Sequence, residues 1–282
     1  ATLNGLQFTP AAGYTGGGAA LQAVTNDLGG SGGPAQTDTD TVAITVTGYD
    51  IAGRLHHDVN GDGDVTNDGG AVFAGAGVGL YLDNGNGTID AGDTLVGTTT
   101  TDASGAYSFT NRALGTYYVT VDSRTLAPTG PGAYNLGFAL GDVWADQTYG
   151  VAGAAQNAGF LGATGAVYGG RFATQSDDAS ALTSAEHATR VTIAGATVTG
   201  IDSAFSFNVV ANVRGDGTDD DAANARVQQG SLRQFILNAN ALAGGTARRF
   251  VPGVGTNATA GASNNWWQLS LDQALPDITD AG

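Results

Sequence analysis

The sequence predicts an all-β protein of short strands joined by Asp/Gly turns, with one short helix near the C-terminus. Three observations lead there. The 282 residues include 46 Gly, and 25 of the 26 acidic side chains are Asp, Glu186 being the lone Glu. All ten basic residues are Arg, with no Lys. Glu and Lys favour helices whereas Asp and Gly favour turns and caps, so a mainly helical chain is excluded. Finally, Val, Ile, Leu, Phe and Tyr fall in short runs that alternate with small or polar residues, the period of a half-buried strand.

In chain order, Leu3 to Thr9 and Thr41 to Thr47 read as the first strands, separated by a Gly-rich stretch ending in Thr37-Asp38-Thr39-Asp40. In the second run Val42, Ile44 and Val46 alternate with Ala43 and Thr45. Ile51 to Leu55 and Val78 to Leu82 follow, each leading into a loop of Asp, Asn and Gly. Two further strands flank a turn at Ser104-Gly105, and a turn at Leu114-Gly115 leads into Thr116 to Val121. The stretch from Val151 to Gly170 is mostly Gly and Ala and contains Gln156 and Asn157, which reads as surface loop rather than a membrane span. Near the C-terminus Gly230-Ser231 supplies a helix N-cap, Leu232, Phe235, Ile236 and Leu242 share one face, and Gly244-Gly245 stops the helix. Asn264 to Leu271 closes the series as a strand.

Three segments resemble known families. LQFTPAAGYTG followed by TDTDTVAITVT resembles the C-terminal half of the bacterial cadherin-like repeat. The succession of strands and loops from 49 to 122, resuming at RVTIAGATVTGIDSAFSFNVV, resembles the SdrD B-like (Cna B-type) domain of bacterial surface proteins and implies an Ig-like sandwich. GSLRQFILNAN, RRFV and NWWQLSL resemble the N-terminal cap and first coil of right-handed parallel β-helix proteins. The expected organisation is a partial β segment at 1–48, a sandwich at 49–210 with an insertion at about 125–189, and a helix with a first β-helix coil at 211–282. With no Met in the chain, Ala1 is expected to be a trimmed end, and both ends are expected to belong to larger domains. Many Cna B-type domains carry a Lys–Asn isopeptide staple. Without Lys or Cys, neither that bond nor a disulfide can form here.

The first loop runs Asp58-Val59-Asn60-Gly61-Asp62-Gly63-Asp64-Val65-Thr66-Asn67-Asp68. Calcium takes six to eight hard oxygen ligands, and oxygens at every second position around a sharp Gly turn can wrap it. Asp58, Asn60 and Asp62 fit loop positions one, three and five, with the Asp64 carbonyl next. Position twelve is Gly69, so Asp68 sits one residue early for the closing ligand. In the second loop Asn84, Asn86, Asp90 and Asp93 fall at positions three, five, nine and twelve, with Asp83 taking the first place through a one-residue shortening. Solvated Asx turns are the alternative for both loops, since Asp, Asn and Gly all favour them. Asp216 to Asp221 and the pair Asp38 and Asp40 are weaker candidates. His56 and His57 are adjacent on a strand and point to opposite faces, so they do not share one metal.

The net charge of −16 offers no positive footprint for nucleic acid. There is no G-x-S-x-G elbow and no Cys nucleophile, and no Asp pair stands out for glycoside chemistry. The expected function is a non-catalytic, calcium-stabilised structural or adhesive protein of a bacterial cell surface, outside the cell. Self-association into a filament or sheath by strand complementation is the expected partner mode, with Leu3 to Thr9 or Thr41 to Thr47 as donors. Surface glycans are a further candidate partner, through aromatics such as Tyr81, Tyr107, Tyr117, Tyr118, Trp144, Tyr149, Trp266 and Trp267, which otherwise fill cores. The alternatives are a carbohydrate-binding module and the N-terminal part of a β-helix polysaccharide-active enzyme.

Overall fold

Alternation along the chain is realised as two sheets packed face to face in a computed structural model. It describes residues 7–11, 13–30, 32–129, 133–156, 159–169, 187–211, 230–244, 249–251, 255–261, 264–269, 271 and 274–279. The chain opens with an antiparallel ribbon of β1 (Gly16–Asn26) and β2 (Thr37–Val46), in which Leu21 faces Val42 and Ala19 faces Ile44. The expected strand from Leu3 starts outside the described residues, and Gln7–Thr9 is not a strand. Instead the Gly-rich stretch itself supplies β1, because Ala19, Leu21 and Ala23 alternate well enough to zip against β2. The ribbon joins neither sheet of the sandwich.

The sandwich begins with β3 (Tyr49–His57), β4 (Gly77–Leu82), β5 (Thr94–Thr100), β6 (Ala106–Arg112) and β7 (Gly115–Asp122). It continues through β8 (Asp146–Gly150), the short pair β9 (Ala155–Gln156) and β10 (Gly159–Phe160), β11 (Gly165–Ala166), β12 (Ala188–Ile193) and β13 (Ser203–Ser206). One sheet has the order β11-β8-β13-β3-β6 and the other β12-β7-β4-β5. The turn at Ser104-Gly105 carries the chain from one sheet to the other, with Gly105 at φ +75°, a conformation open to Gly. The stretch read as an insertion is thus partly built into the fold, since β8 lies between β11 and β13 within a sheet. β13 runs parallel to β3, and the remaining ladders of the sandwich are antiparallel.

Period-two patterning decides what is inside. Tyr117, Val119 and Val121 of β7 join Ile51, Leu80 and Phe205 in one buried cluster. Tyr118, between them in sequence, points out of that core and packs with Tyr81, Ile89 and Phe160. Trp144 is 1% exposed and donates from Nε1 to Ser123 Oγ at 2.7 Å. A ring so enclosed cannot stack on a sugar, and Tyr81, Tyr107, Tyr117 and Tyr118 are buried too. Trp266 and Trp267 remain exposed.

Beyond β13 come β14 (Val209–Val210), α1 (Leu232–Ala241), β15 (Arg249–Phe250), β16 (Ala258–Ala260) and β17 (Asn264–Trp266). Ser231 caps α1 by accepting from Gln234 N at 3.1 Å. Phe235 and Ile236 bury against Val210, while Leu242, just past the helix, reaches the main core. Asn238 fixes the helix to the sandwich, its amide donating to the carbonyls of Trp144 and Phe207. β14 and β15 pair in parallel and β16 and β17 form a hairpin. The strand expected over 264–271 is limited to Asn264–Trp266; Trp267–Leu269 and Leu271 are not strand.

Candidate metal centres

Each Asp/Asn/Gly loop starts where a core strand ends, β3 for the first and β4 for the second. The first is organised around Asp58, which is fully buried. Its carboxylate accepts from Gly61 N at 2.7 Å, Asp62 N at 3.2 Å and Gly63 N at 2.8 Å. Gly61 and Gly63 have φ of +70° and +75°, which turns these N–H groups inward. Around the rim, Asn60, Asp62 and Asp64 each accept from the backbone N–H two residues on, three Asx turns in succession.

Asp68 closes the loop by accepting from Val59 N at 2.9 Å through Oδ1. Among the described residues its Oδ2 is buried without a hydrogen-bond partner. Burial, followed by the charges of Asp58 and Asp62, pushes the Asp68 carboxyl above the usual carboxylate range despite the Val59 and Asn60 N–H groups. Burial also works against the Asp62 carboxylate, but the Asn67 amide, the Asp64 N–H and the Asn60 amide outweigh it and hold Asp62 below the usual range, with a smaller pull from Arg249. Asp64 is lowered by the Thr66 hydroxyl and N–H.

The second loop repeats this frame. Asp83 accepts from Gly87 N at 3.1 Å, and Asp93 accepts from Asn84 N at 3.0 Å and Asp90 N at 3.1 Å. Both loops are therefore spanned by two Asp ten positions apart, 58 and 68 or 83 and 93, the later one binding the N–H just after the earlier. Asp83 accepts from the N–H four residues on, as Asp58 does in the first loop. Asn84, Asn86 and Asp90 lie on the rim, where the Asn86 amide donates to Asp90 Oδ2 at 2.6 Å. That amide and the Gly92 N–H lower the Asp90 carboxyl. Tyr118 faces the loop, its hydroxyl 3.5 Å from Asp83 Oδ1, and burial with the charges of Asp83 and Asp93 pushes it up to about 12.

Among the described residues no group of three His, Asp or Glu side chains converges closely enough to hold a metal ion. Each loop is held by its own backbone and Asn amides. Their donor set nonetheless suits calcium, being all oxygen. The test observation is Asp68 Oδ2, a buried oxygen that lacks a donor and faces two like charges. A cation bound beside it would give that oxygen the partner it lacks.

Of the weaker candidates, Asp38 and Asp40 lie on the exposed ribbon, and Asp216 to Asp221 fall outside the described residues. His56 and His57 do face opposite ways: His56 Nε2 is 3.8 Å from Asp202 Oδ2, while His57 is buried between Phe73 and Phe207. Sequence reasoning missed Asn67, which donates to Asp62 Oδ2 at 2.9 Å, although its place beside Asp68 was a usable signal. It also missed Arg249, whose Nη2 is 3.7 Å from Asp62 Oδ2. No local pattern marks a residue so distant in sequence.

Residues 49–136 match the SdrD B-like domain family, under a third of the chain. Both loops lie inside the matched segment. Among solved structures the chain is similar to the group B streptococcus pilus 2b backbone protein, at 15% identity over 61% of this chain and 48% of that one. The TM-score is 0.22. The chain spans about half the length of that protein. Among the described residues no helix is long and apolar enough to cross a membrane.

Proposed function

We propose that the chain is a non-catalytic structural or adhesive component of a bacterial cell surface, whose sandwich is stiffened by calcium in the loops at 58–68 and 83–93. The orphaned Asp68 Oδ2, held by its fold against Asp58 and Asp62, is the observation that carries this reading. Asp58, Asn60, Asp62, the Asp64 carbonyl and Asp68 would hold one ion, and Asp83, Asn84, Asn86, Asp90 and Asp93 a second. Bound calcium would supply the positive charge and multiple oxygen coordination that the amides now supply in part. A chain with neither Lys nor Cys has no isopeptide or disulfide staple, so ions are the cross-links left to it. The SdrD B-like match supports the surface assignment.

Assembly of copies into a filament or sheath belongs to the same reading. Among the described residues the β1–β2 ribbon pairs with no further strand, it exposes Leu21, Val24 and Val42, and isolated two-stranded ribbons are marginal in water. The donor strand is then a β1 or β2 edge, in place of Leu3 to Thr9.

Terbium luminescence tests the calcium assignment, with sensitised emission titrated away by Ca²⁺. Asp58→Asn combined with Asp68→Asn should remove one of two sites, and full emission in that variant would refute the ligand set.

A further inference from the structure

The first loop is not only a loop of the sandwich; the C-terminal segment grips it from outside. Asn208 Nδ2 donates to the Val59 carbonyl at 2.7 Å, and Arg249 Nε donates to the Asn60 carbonyl at 2.9 Å. Gly61 sits so near Val209 that an added Cβ would lie 2.8 Å from Val209 Cγ1. Arg249 is held in place by β15, which pairs with β14 through Arg249 N to Asn208 O at 3.1 Å and Val251 N to Val210 O at 3.0 Å. Its guanidinium is thereby directed at Asp62, with Nη2 3.7 Å from Oδ2.

We propose that the first loop is a calcium-controlled joint between the sandwich and the C-terminal segment, with Arg249 serving as the counter-ion of Asp62 that calcium displaces. This rests on the calcium reading of the loop. Two cations that share one carboxylate oppose each other, and the opposition is reciprocal: the ion weakens the Arg249 contact by the factor by which Arg249 weakens the ion. Asp62 and Arg249 side chains are 22% and 43% exposed, so solvent screens the coupling and salt reduces it. Calcium then loosens the β14–β15 grip on the loop while it tightens the loop itself. The Asn208 bond and the Val209 contact keep the segment attached.

The experiment is a calcium titration of the full chain by calorimetry, comparing the wild type with Arg249→Gln and Arg249→Lys at low and high NaCl. Arg249→Gln should bind calcium at the first loop several-fold more tightly, with the advantage shrinking as salt rises. Arg249→Lys keeps the charge but loses the Nε bond to Asn60, and should bind as the wild type does. In the wild type, calcium should also speed hydrogen exchange at the Arg249 and Val251 amides, a readout independent of any variant's folding. Equal or weaker binding by Arg249→Gln, or unchanged exchange at those amides, overturns the joint while leaving calcium binding intact. Absence of calcium binding in the wild type overturns both.

Discussion

At the scale of single residues, Asp68 and His57 carry opposite kinds of strain. Asp68 keeps an ionisable oxygen buried beside two other carboxylates, which is costly unless a cation arrives. Asp68→Asn should therefore raise the stability of the metal-free protein by about 1 kcal/mol. It should also lower calcium affinity at least tenfold, so that the gain vanishes when calcium is added. Urea unfolding with EDTA and with Ca²⁺ checks both signs; a variant less stable in EDTA would contradict the account. His57 is held neutral by burial, which brings it from 6.5 down to about 4. The folded state then binds fewer protons than the unfolded chain between those values, so its stability falls as pH drops from about 6.5 to about 4 and levels off below. The loss amounts to about 3 kcal/mol at most. His57→Gln should flatten that window in a series of urea melts, and an undiminished slope would assign the effect elsewhere.

At the scale of elements, the parallel contact of β3 with β13 depends on the absence of a side chain. A Cβ on Gly53 would lie 2.0 Å from the Ile201 carbonyl oxygen and 2.7 Å from Tyr107 Oη, and the former is backbone that cannot yield cheaply. Gly53→Ala should cost about 3 kcal/mol by forcing the ladder apart. A melting temperature within a degree of wild type would show that the strands adjust. The same contact explains what sequence could and could not tell. Strands β3 to β7 were legible because each has its own alternation and its own turn, as at Ser104-Gly105. The helix was legible from Ser231 and its apolar face. β1 was hidden because Gly16 to Gly18 read as spacer, and its strand character comes only from pairing with β2. β8 was hidden inside a Gly- and Ala-rich region because its place depends on neighbours distant in the chain, β13 and β11. In the loops, the oxygen-bearing residue types and their spacing were visible, whereas the buried Asp68 oxygen and the approach of Arg249 are products of tertiary packing.

At the scale of the whole molecule, a chain of −16 charge has to resist self-repulsion without a disulfide or a Lys isopeptide bond. The sandwich core, the α1 anchor at Asn238 and the two Asp-framed loops share that task. If the β1–β2 ribbon is the assembly edge, Val42→Lys should hold the protein monomeric, and light scattering that shows polymers from this variant would exclude the ribbon. Calcium stabilisation is measured most directly by thermal unfolding of the full chain in EDTA and in calcium at about a hundredfold excess over its dissociation constant. Binding only to the folded state contributes about 2.7 kcal/mol per site under those conditions, a rise of roughly 5–10 °C for each. Calcium should produce that rise, and the share of the first loop should be lost in Asp58→Asn. Superimposable melting curves with and without calcium would contradict calcium stabilisation.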